Sequence, residues 1–208
     1  MTVLLSYGQD RRWKRRLVDL AVVAGGARTL DLATGTGDIA FALAARGARV
    51  VGLDLTRRMI ELARAKVPSN GLPATFLVGD MLALPFPNGS FDIVTTGYGL
   101  RNVPDLNAAI DEIGRVLKSG GQVLSLDFNR PSNRLVRAVY LRYLSLVGAL
   151  LGWMLHGDPD TYRYIPASIR QYPGAEAVAR LMAARGFSRV KHHPVLGGLM
   201  AIHQGFKD

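Results

Sequence analysis

The sequence contains no cysteine, only four histidines and comparatively few acidic residues. Without cysteine the chain can form neither a disulfide nor a thiolate metal site, and it has no cysteine nucleophile. The histidines are scattered along the chain, so a zinc site is a poor interpretation and no metal is predicted. The first residues lack the basic start, long apolar stretch and small-residue cleavage site of a signal peptide, so we expect a cytoplasmic protein.

The shortage of acidic residues leaves the chain strongly basic, with 26 lysines and arginines against 16 aspartates and glutamates and a net charge of +10. This excess predicts an anionic partner, and charge alone leaves both nucleic acid and a membrane surface open. With 208 residues, of which 49% are hydrophobic, the chain can bury one sizeable core. We therefore expect residues 1–208 to form one domain.

A short apolar run that contains Asp31 breaks into a glycine-rich turn at residues 34–37. Gly35 and Gly37 can adopt backbone angles that other residues avoid and leave peptide groups open to a nucleotide-like ligand; a helix then starts at Asp38. Asp31 would repel a pyrophosphate but suits a ligand that carries an ammonium and a sulfonium. The motif therefore favours S-adenosylmethionine over NAD, with a tight turn that binds no ligand as the alternative.

Five short apolar runs alternate with segments of mostly helical periodicity. They lie at residues 28–33, 49–54, 74–79, 91–96 and 121–128. Buried strands joined by crossover helices form a parallel sheet with helices on both faces, and ligands bind beyond the carboxyl ends of such strands. The sequence therefore predicts an α/β fold whose five parallel strands are completed by a C-terminal hairpin, at about residues 187–206, into a seven-stranded mixed sheet.

Polar residues stand at the ends of the second and third predicted strands. Asp54 lies 19 positions after Gly35, a spacing at which a carboxylate accepts both hydroxyls of an adenosine ribose. Asp80 is placed to accept the adenine amino hydrogens while Met81 lies along the ring, and for Asp80 alone a helix-capping role is the alternative. Gly97, at the end of the fourth strand, leaves room for the ligand.

A basic helix is predicted at residues 9–24, before the first strand. Trp13 and Leu17 lie on its apolar face, while five arginines and lysines crowd its first turns. A role in membrane contact and an ordinary solvated charged face are both open.

Five segments of the chain, taken in order, carry a family resemblance: DLATGTGD, GLD, GDMLALPFPNGSFD, GLRNVPD and YRYIPASI. They resemble the class I methyltransferases of ubiquinone and menaquinone biosynthesis. The first segment is common to methyltransferases in general, whereas GLRNVPD and YRYIPASI are specific to this family. The resemblance covers nearly the whole chain.

The resemblance implies the Rossmann-like fold of a class I methyltransferase with S-adenosylmethionine as its cofactor. The cofactor residues that it implies are Thr36, Asp54, Asp80, Met81 and the position of Gly97, in agreement with the strand ends identified above. The implied reaction transfers a methyl group to a ring carbon of a polyprenylated hydroquinone or phenol. Three residues of the last segment are expected to line or cover the substrate pocket: Tyr162, Arg163 and Tyr164.

The ring carbon is nucleophilic only when a neighbouring hydroxyl is partly ionised, and ionising a phenol of pKa about 10 at pH 7 costs roughly 4 kcal/mol. Arg101 is always cationic and is expected to stabilise the phenolate, with Asn102 orienting the hydroxyl or a water. A salt bridge from Arg101 to Asp105 or Asp127 that only pins its loop is the alternative. Asp127 is a further candidate, either as acceptor of the ring proton or as a helix cap.

A helical insertion is predicted at residues 132–172, and its uncharged run from 143 to 155 is too short to cross a bilayer. It is either a buried insertion or an apolar wall for a prenyl tail that touches the membrane near Trp153. Together with the basic helix, it predicts a peripheral contact with the inner face of an anionic membrane. His203, in a stretch of alternating polarity, is predicted to be a structural histidine in an antiparallel strand.

Two departures from the family pattern affect the cofactor site. Relatives usually carry a longer segment before the one that begins at Ser6, with a tyrosine and an aspartate that help to close the site, so we expect this lid to be missing. Gly97 stands where relatives can have serine, so one side-chain hydrogen bond to the cofactor is expected to be lost.

Two further classes of function are open. A methyltransferase for another small aromatic molecule or for RNA is compatible with the basic charge, but the chain carries no appended RNA-binding module and no nucleic acid partner is expected. An NAD-binding oxidoreductase or a non-catalytic adenosine-binding module is disfavoured by Asp31 and by the C-terminal hairpin. The choice between a menaquinone and a ubiquinone precursor, and between a monomer and a homodimer, is left open.

Overall fold

The computed structural model describes residues 9–67, 71–131 and 133–208. Ser6, where the entry segment begins, and position 132, the predicted start of the insertion, lie outside the described residues. The strands are β1 (Arg28–Leu32), β2 (Arg49–Asp54), β3 (Ala74–Val78), β4 (Phe91–Gly97), β5 (Leu117–Phe128), β6 (Phe187–Val195) and β7 (Met200–Lys207). The helices are α1 (Asp10–Leu20), α2 (Asp38–Ala44), α3 (Arg57–Ala65), α4 (Leu106–Val116), α5 (Arg134–His156), α6 (Tyr164–Gln171) and α7 (Ala175–Ala184).

The strands form one sheet in the order β3-β2-β1-β4-β5-β7-β6. Strands β1 to β5 run parallel, whereas β7 pairs antiparallel with both β5 and β6. The predicted seven-stranded mixed sheet with a C-terminal hairpin is therefore confirmed. Because the strand order reverses between β1 and β4, their carboxyl ends border the crevice in which open α/β sheets bind ligands.

Helices cover both faces of the sheet, so the central strands β1 and β4 are buried along most of their length. On one face, α1, α2 and α3 pack through Leu17, Leu43 and Ile60, each at most 1% exposed. On the other face, α4 and α7 pack through Ile110 and Val178. Burial of each such aliphatic side chain contributes about 1.5–3 kcal/mol, so these contacts hold the helices against the sheet.

Helix α1 is shorter than predicted. It ends at Leu20 instead of residue 24 because Ala21 adopts an extended conformation, with ψ of 127°, and the chain then runs without regular structure to a turn before β1. Its predicted apolar face is confirmed, since Trp13 and Leu17 are buried in the core.

Strand β5 begins at Leu117, before the predicted start at residue 121. Leu117 pairs with Phe91, and the register then shifts so that Ile93 pairs with Gln122. Gly120 permits this bulge because its φ of 74° lies in the left-handed region. The sequence pattern missed the first residues of the strand because a bulge interrupts the alternation of buried side chains.

Strand β6 is the outermost strand beside β7, and its edge is irregular. Its register shifts between Ser188 and Lys191, where Arg189 has a left-handed φ of 49°. Pro194, near the end of the strand, has no N–H group to donate.

Helix α5 dominates the predicted insertion. It has 23 residues, and the side chain of Asn133 caps its start by accepting hydrogen bonds from two backbone N–H groups. Among the described residues, one segment, 134–154, is long and apolar enough to cross a membrane by length and composition, and 28% of its most apolar stretch is buried. Tyr140 and Leu144 pack into the core at 7% exposure each, so one side of α5 belongs to the fold.

Candidate active site

The carboxyl ends of β1 and β4 carry two residues with an uncommon backbone conformation. Ala33, after β1, has φ of 50°, and Tyr98, after β4, has φ of 64°. Non-glycine residues cost energy in the left-handed region, and such strain often clusters at active sites, although Arg189 and Leu196 share this conformation elsewhere. Because Ala33 and Tyr98 flank the point where the strand order reverses, we place the centre of the site there.

The glycine-rich turn lies between β1 and α2, as predicted. Gly35 and Gly37 have φ of 56° and 85°, and a side chain at Gly37 would collide with the rings of Phe41 and Phe76. The N–H group of Gly35 donates to Asp54 Oδ2 at 2.8 Å, while Asp54 Oδ1 accepts from the N–H group of Thr56 at 2.9 Å. Asp54, which is predicted to bind the ribose, therefore contacts the turn directly.

Asp31 lies beneath the turn and is 1% exposed. Its two carboxylate oxygens accept hydrogen bonds from Thr34 Oγ1 at 2.6 Å and Thr95 Oγ1 at 2.7 Å. Burial raises the pKa of Asp31 to about 6, although these hydroxyls and the charge of Lys14 oppose the rise. Asp31 is therefore mostly ionised at neutral pH and supplies negative charge from below the turn.

A cavity of about 410 Å³ lies beside Asp54 and extends to Asp80, Met81 and Asn102. Asp80 Oδ1 accepts from the N–H group of Leu82 at 2.9 Å within a turn. The alternative role of Asp80 as a helix cap is wrong, because a turn and not a helix follows it. The exposed carboxylate remains placed to meet a ligand in this cavity.

A second cavity of about 550 Å³ lies on the other side of the turn. It is lined by the predicted residues Asp31, Gly35, Thr36 and Gly97. Both cavities share Ala33 and Tyr98, so a ligand that extends from one to the other must pass these two strained residues. A side chain at Gly97 would come within 2.7 Å of Ile39 Cδ1, so the glycine keeps this passage narrow but open.

Sequence reasoning missed several residues of the second cavity, among them Asp10, Lys14 and Tyr98. Tyr98 follows directly after the fourth strand, and that position is the signal that could have found it. Asp10 and Lys14 carry no comparable signal, because charged residues in a basic helix are usually solvated.

The residues present fit S-adenosylmethionine. Each cavity falls within the 300–1,000 Å³ range that is typical of small-molecule sites. The first cavity offers a carboxylate, Asp54, at ribose spacing, and the second combines Asp31 and Asp38 with cationic side chains, as an amino acid with a sulfonium requires. The two-part shape corresponds to a nucleoside joined to an amino acid.

Arg101 is held by Asp127. Its Nε lies 3.0 Å from Asp127 Oδ1 as an ion pair, and its backbone N–H group donates to Oδ2 at 3.1 Å. The two side chains are only 5% and 1% exposed. Burial raises the pKa of Asp127 to about 6, against the lowering effect of the guanidinium. A salt bridge between Arg101 and Asp127 therefore exists.

Two expectations for the surroundings of Arg101 are wrong. Asp105 does not pair with Arg101 but caps α4, accepting hydrogen bonds from the N–H groups of Asn107 and Ala108. Asp127 caps no helix; one of its oxygens accepts from the N–H group of Phe128 at 2.8 Å. The carboxylate of Asp127 therefore makes its contacts in the interior, below the site.

The guanidinium of Arg101 lies between two aromatic rings, 5.0 Å from the centre of Phe128 and 5.9 Å from that of Tyr164. Its Nη1 donates to Ser168 Oγ of α6 and, at 3.2 Å, to Asn102 Oδ1. Asn102 is exposed, and its Nδ2 donates to the carbonyl of Tyr98 at 2.9 Å. The structure thus brings Arg101, Asn102 and Asp127 together.

The three residues predicted for the substrate pocket lie in different environments. Tyr164 is 52% exposed and lies beside Arg101, whereas Tyr162 is 3% exposed and packs in the core. Arg163 is largely exposed and pairs with Asp160 at 3.0 Å. Tyr164 therefore stands beside a predicted catalytic residue.

His203 is a structural residue, as predicted. It lies in the antiparallel strand β7, and its Nε2 is 2.9 Å from the carbonyl oxygen of Ala175. Burial lowers its pKa to about 4, so the ring is neutral at pH 7.

Comparisons with known proteins identify relatives over the whole chain. The sequence model of the ubiE/COQ5 methyltransferase family matches residues 1–207. The chain is 46% identical over 204 residues to a demethylmenaquinone methyltransferase of Thermus thermophilus, covering 97% of this chain and 92% of that protein. It is 38% identical over 212 residues to the ubiquinone/menaquinone biosynthesis C-methyltransferase UbiE of Azotobacter vinelandii, covering 100% of this chain and 84% of that protein.

The fold also has solved counterparts. An S-adenosylmethionine-dependent methyltransferase from Aquifex aeolicus superposes with a TM-score of 0.67 at 16% identity, covering 94% of this chain and 89% of that chain. At this identity the likeness concerns the fold alone. The predicted class I, Rossmann-like architecture is confirmed.

Proposed function

The chain belongs to the ubiE/COQ5 methyltransferase family, and we propose that it uses S-adenosylmethionine to methylate a ring carbon of a polyprenylated quinol. The substrate is demethylmenaquinol or the corresponding ubiquinone precursor, as the names of the relatives suggest. The observation that carries the proposal is the pair of cavities that meet at Ala33 and Tyr98, with Asp54 in one and Asp31 in the other.

When bound, S-adenosylmethionine supplies an electrophilic methyl group on a sulfonium. We propose that Asp54 binds the ribose, that Asp80 and Met81 bind the adenine, and that the turn at Gly35, Thr36 and Gly37 binds the central part. Both oxygens of Asp54 already accept one backbone hydrogen bond, and each oxygen retains a lone pair for a ribose hydroxyl. Gly97 borders the passage between the cavities, and Asp31 supplies negative charge from below.

Ionisation of the quinol hydroxyl is the step for which the chain must provide charge. We propose that Arg101 stabilises the developing ring oxygen anion. Its orientation is fixed by Asp127 and by the rings of Phe128 and Tyr164, so the cation needs no reorganisation during the reaction. We assign Asp127 to positioning Arg101, because a carboxylate that is 1% exposed and already accepts three contacts is poorly placed to take a ring proton.

Asn102 is proposed to reach the substrate directly. It is exposed on the same cavity as Asp54, and its side-chain oxygen accepts a hydrogen bond from Arg101 at 3.2 Å. This contact couples the charge of Arg101 to a group on the cavity wall. Asn102 is thereby placed to orient the quinol hydroxyl or a water.

The insertion at residues 132–172 is proposed to form the apolar wall for the prenyl tail. Tyr164 presents a half-exposed ring next to Arg101. The outward side of α5 is unusually apolar for an exposed helix, with six large side chains at least 56% exposed: Leu135, Val139, Leu146, Leu150, Trp153 and Met154.

We further propose that this outward side of α5 lies in the headgroup region of an anionic membrane, at its inner face. A polyprenylated quinol resides in the membrane, and an amphipathic helix at the interface gives access to it. Arg134, Arg137 and Arg142 occupy the first turns of α5, where anionic headgroups would neutralise them. The inner side of α5 stays in the core, so the helix lies on the membrane and does not span it.

The test is a methyl-transfer assay with labelled S-adenosylmethionine and three acceptors in detergent micelles: a demethylmenaquinol, the demethylated ubiquinone precursor and bulk transfer RNA. We expect label in a quinol and none in RNA. An Asn102→Ala variant is compared in the same assay. We expect it to bind the cofactor normally but to transfer the methyl group slowly. Label in RNA, or none in either quinol with reduced substrate present, would contradict the proposal.

A further inference from the structure

Helix α1 contributes side chains to the second cavity, together with the strand ends. Asp10, Arg11 and Lys14 reach it from α1. The ionisable side chains that line this cavity include three carboxylates and three cations: Asp10, Asp31, Asp38, Arg11, Lys14 and Lys66. Such a mixture suits a zwitterion, in which opposite charges need separate partners.

Lys14 is the more enclosed of the two lysines. Its side chain is 18% exposed, against 50% for Lys66. Its Nζ lies 2.8 Å from Asp10 Oδ2 and 2.9 Å from Asp38 Oδ2. Burial alone would lower the pKa of Lys14, but the hydrogen bonds and charges of the two aspartates raise it, so the ammonium stays charged.

An ammonium group has three N–H donors, and the described residues take two of those of Lys14. The third is available to a ligand in the cavity. Because Asp10 is fully buried and both carboxylates lie within 2.9 Å, the ammonium is held in position before any ligand arrives.

Asp10 connects this ammonium to the strained turn after β4. It is fully buried, and its Oδ1 accepts a hydrogen bond from the hydroxyl of Tyr98 at 2.7 Å. The ring of Tyr98, in turn, lies 6.0 Å from Lys14 Nζ. One carboxylate therefore holds both the cation and the aromatic ring that borders the two cavities.

We propose that Lys14 binds the carboxylate of the methionine part of S-adenosylmethionine, and that Asp10 is the positioning residue for Lys14 and Tyr98. The ammonium and sulfonium of that part are attracted to Asp31 and Asp38, whereas its carboxylate needs a cation. Lys14 is the cation of this cavity that is enclosed and already held in position. The inference rests on the cofactor and is independent of the quinol substrate.

The test compares two ligands by calorimetry, S-adenosylhomocysteine and 5′-methylthioadenosine, which lacks the amino-acid part. In Lys14→Met we expect S-adenosylhomocysteine to bind about 10- to 100-fold more weakly, as for loss of a hydrogen bond to a charged group. Affinity for 5′-methylthioadenosine should be unchanged. Lys66→Met, at the other and more exposed lysine of the same cavity, is the comparison and should weaken S-adenosylhomocysteine binding less than Lys14→Met does.

Melting temperatures of the variants are measured alongside. Lys14→Arg keeps the charge at a shifted position and should give an intermediate affinity for S-adenosylhomocysteine, which provides a readout if Lys14→Met is too unstable. An equal loss for both ligands, or no loss for S-adenosylhomocysteine in either Lys14 variant, would overturn the proposal.

Discussion

At the scale of single residues, the site contains carboxylates that the fold would be more stable without. Asp31 is enclosed, and its pKa of about 6 lies above the ordinary value of 3.8. Between these values the folded chain holds a proton that the unfolded chain has released, so stability falls as pH rises from about 4 to 6. Above pH 6 the full cost of a buried charge is present, roughly 3 kcal/mol.

Asp31→Asn should therefore stabilise the protein at pH 7 and weaken the binding of S-adenosylmethionine. The amide is neutral at every pH and can still pair with the hydroxyls of Thr34 and Thr95. Urea unfolding at several pH values measures the first effect, and calorimetry measures the second. The gain over the wild type should be small at pH 4 and grow towards pH 6; a constant difference across this range would contradict the assignment of the pKa.

Arg101 and Asp127 form the second residue-scale case. Arg101→Ala leaves Asp127 buried without its cation, and breaking such a pair costs about 3–5 kcal/mol of stability. If Arg101 also stabilises the ring oxygen anion, single-turnover methyl transfer should fall about 10²-fold to 10³-fold while affinity for S-adenosylhomocysteine changes little.

The double variant Arg101→Ala with Asp127→Asn separates the two roles of Arg101. It removes the unpaired charge, so it should recover part of the melting temperature and none of the methyl-transfer rate. A normal rate in either folded variant, or a cofactor affinity that falls as far as the rate, would remove Arg101 from the catalytic group.

Residues at strand ends could be predicted from the sequence because local pattern determines where a strand ends. Asp31, Asp54, Asp80 and Gly97 reach the cavities for this reason. Lys14 could not be predicted, because its enclosure depends on Asp38, 24 positions away, and on the packing of α1 against α2. The exposure of a charged side chain is decided by contacts that one helix cannot reveal.

At the scale of elements, α5 combines two requirements in one helix. Its inner side must fill the core, and its outer side is apolar without a partner among the described residues. The sequence predicted the helical insertion but not its length, because the arginines in its first turns interrupted the uncharged run. It also could not place the end of α1 or the bulge of β5, which depend on single backbone angles.

Replacing Leu146 and Trp153 together by glutamine should reduce co-sedimentation with anionic vesicles severalfold, because these side chains, 64% and 65% exposed, form part of the apolar contact that we propose. The fold should be unaffected, since neither side chain is in the core. Val22→Gln is the matched control, as Val22 is 70% exposed on the segment after α1. Equal vesicle binding by the double variant and the control would contradict the proposed role of α5.

At the scale of the whole molecule, the net charge of +10 adds a long-range attraction to any anionic surface. Part of it lies on α1, where Arg12, Arg15 and Arg16 are exposed, whereas Arg11 and Lys14 line the second cavity. The basic helix predicted from the sequence therefore divides into an exposed face and a face that borders the cavity.

Binding to anionic vesicles should accordingly fall as salt rises from roughly 0.05 to 0.5 M, since this range shortens the screening length severalfold. Neutral vesicles should bind less protein at low salt and show little salt dependence. Co-sedimentation with the two vesicle types side by side is the measurement. Equal binding to both at low salt would mean that charge does not bring the protein to the membrane.

The irregular edge of β6 limits one way in which copies of this chain could associate. A smooth outer strand offers a row of unpaired peptide groups to which another chain can add, and this is a common route to aggregation. Here the shift between Ser188 and Lys191 and the missing donor of Pro194 interrupt that row. This irregularity therefore disfavours the merging of two sheets at the β6 edge, and it has no bearing on β3 at the opposite edge.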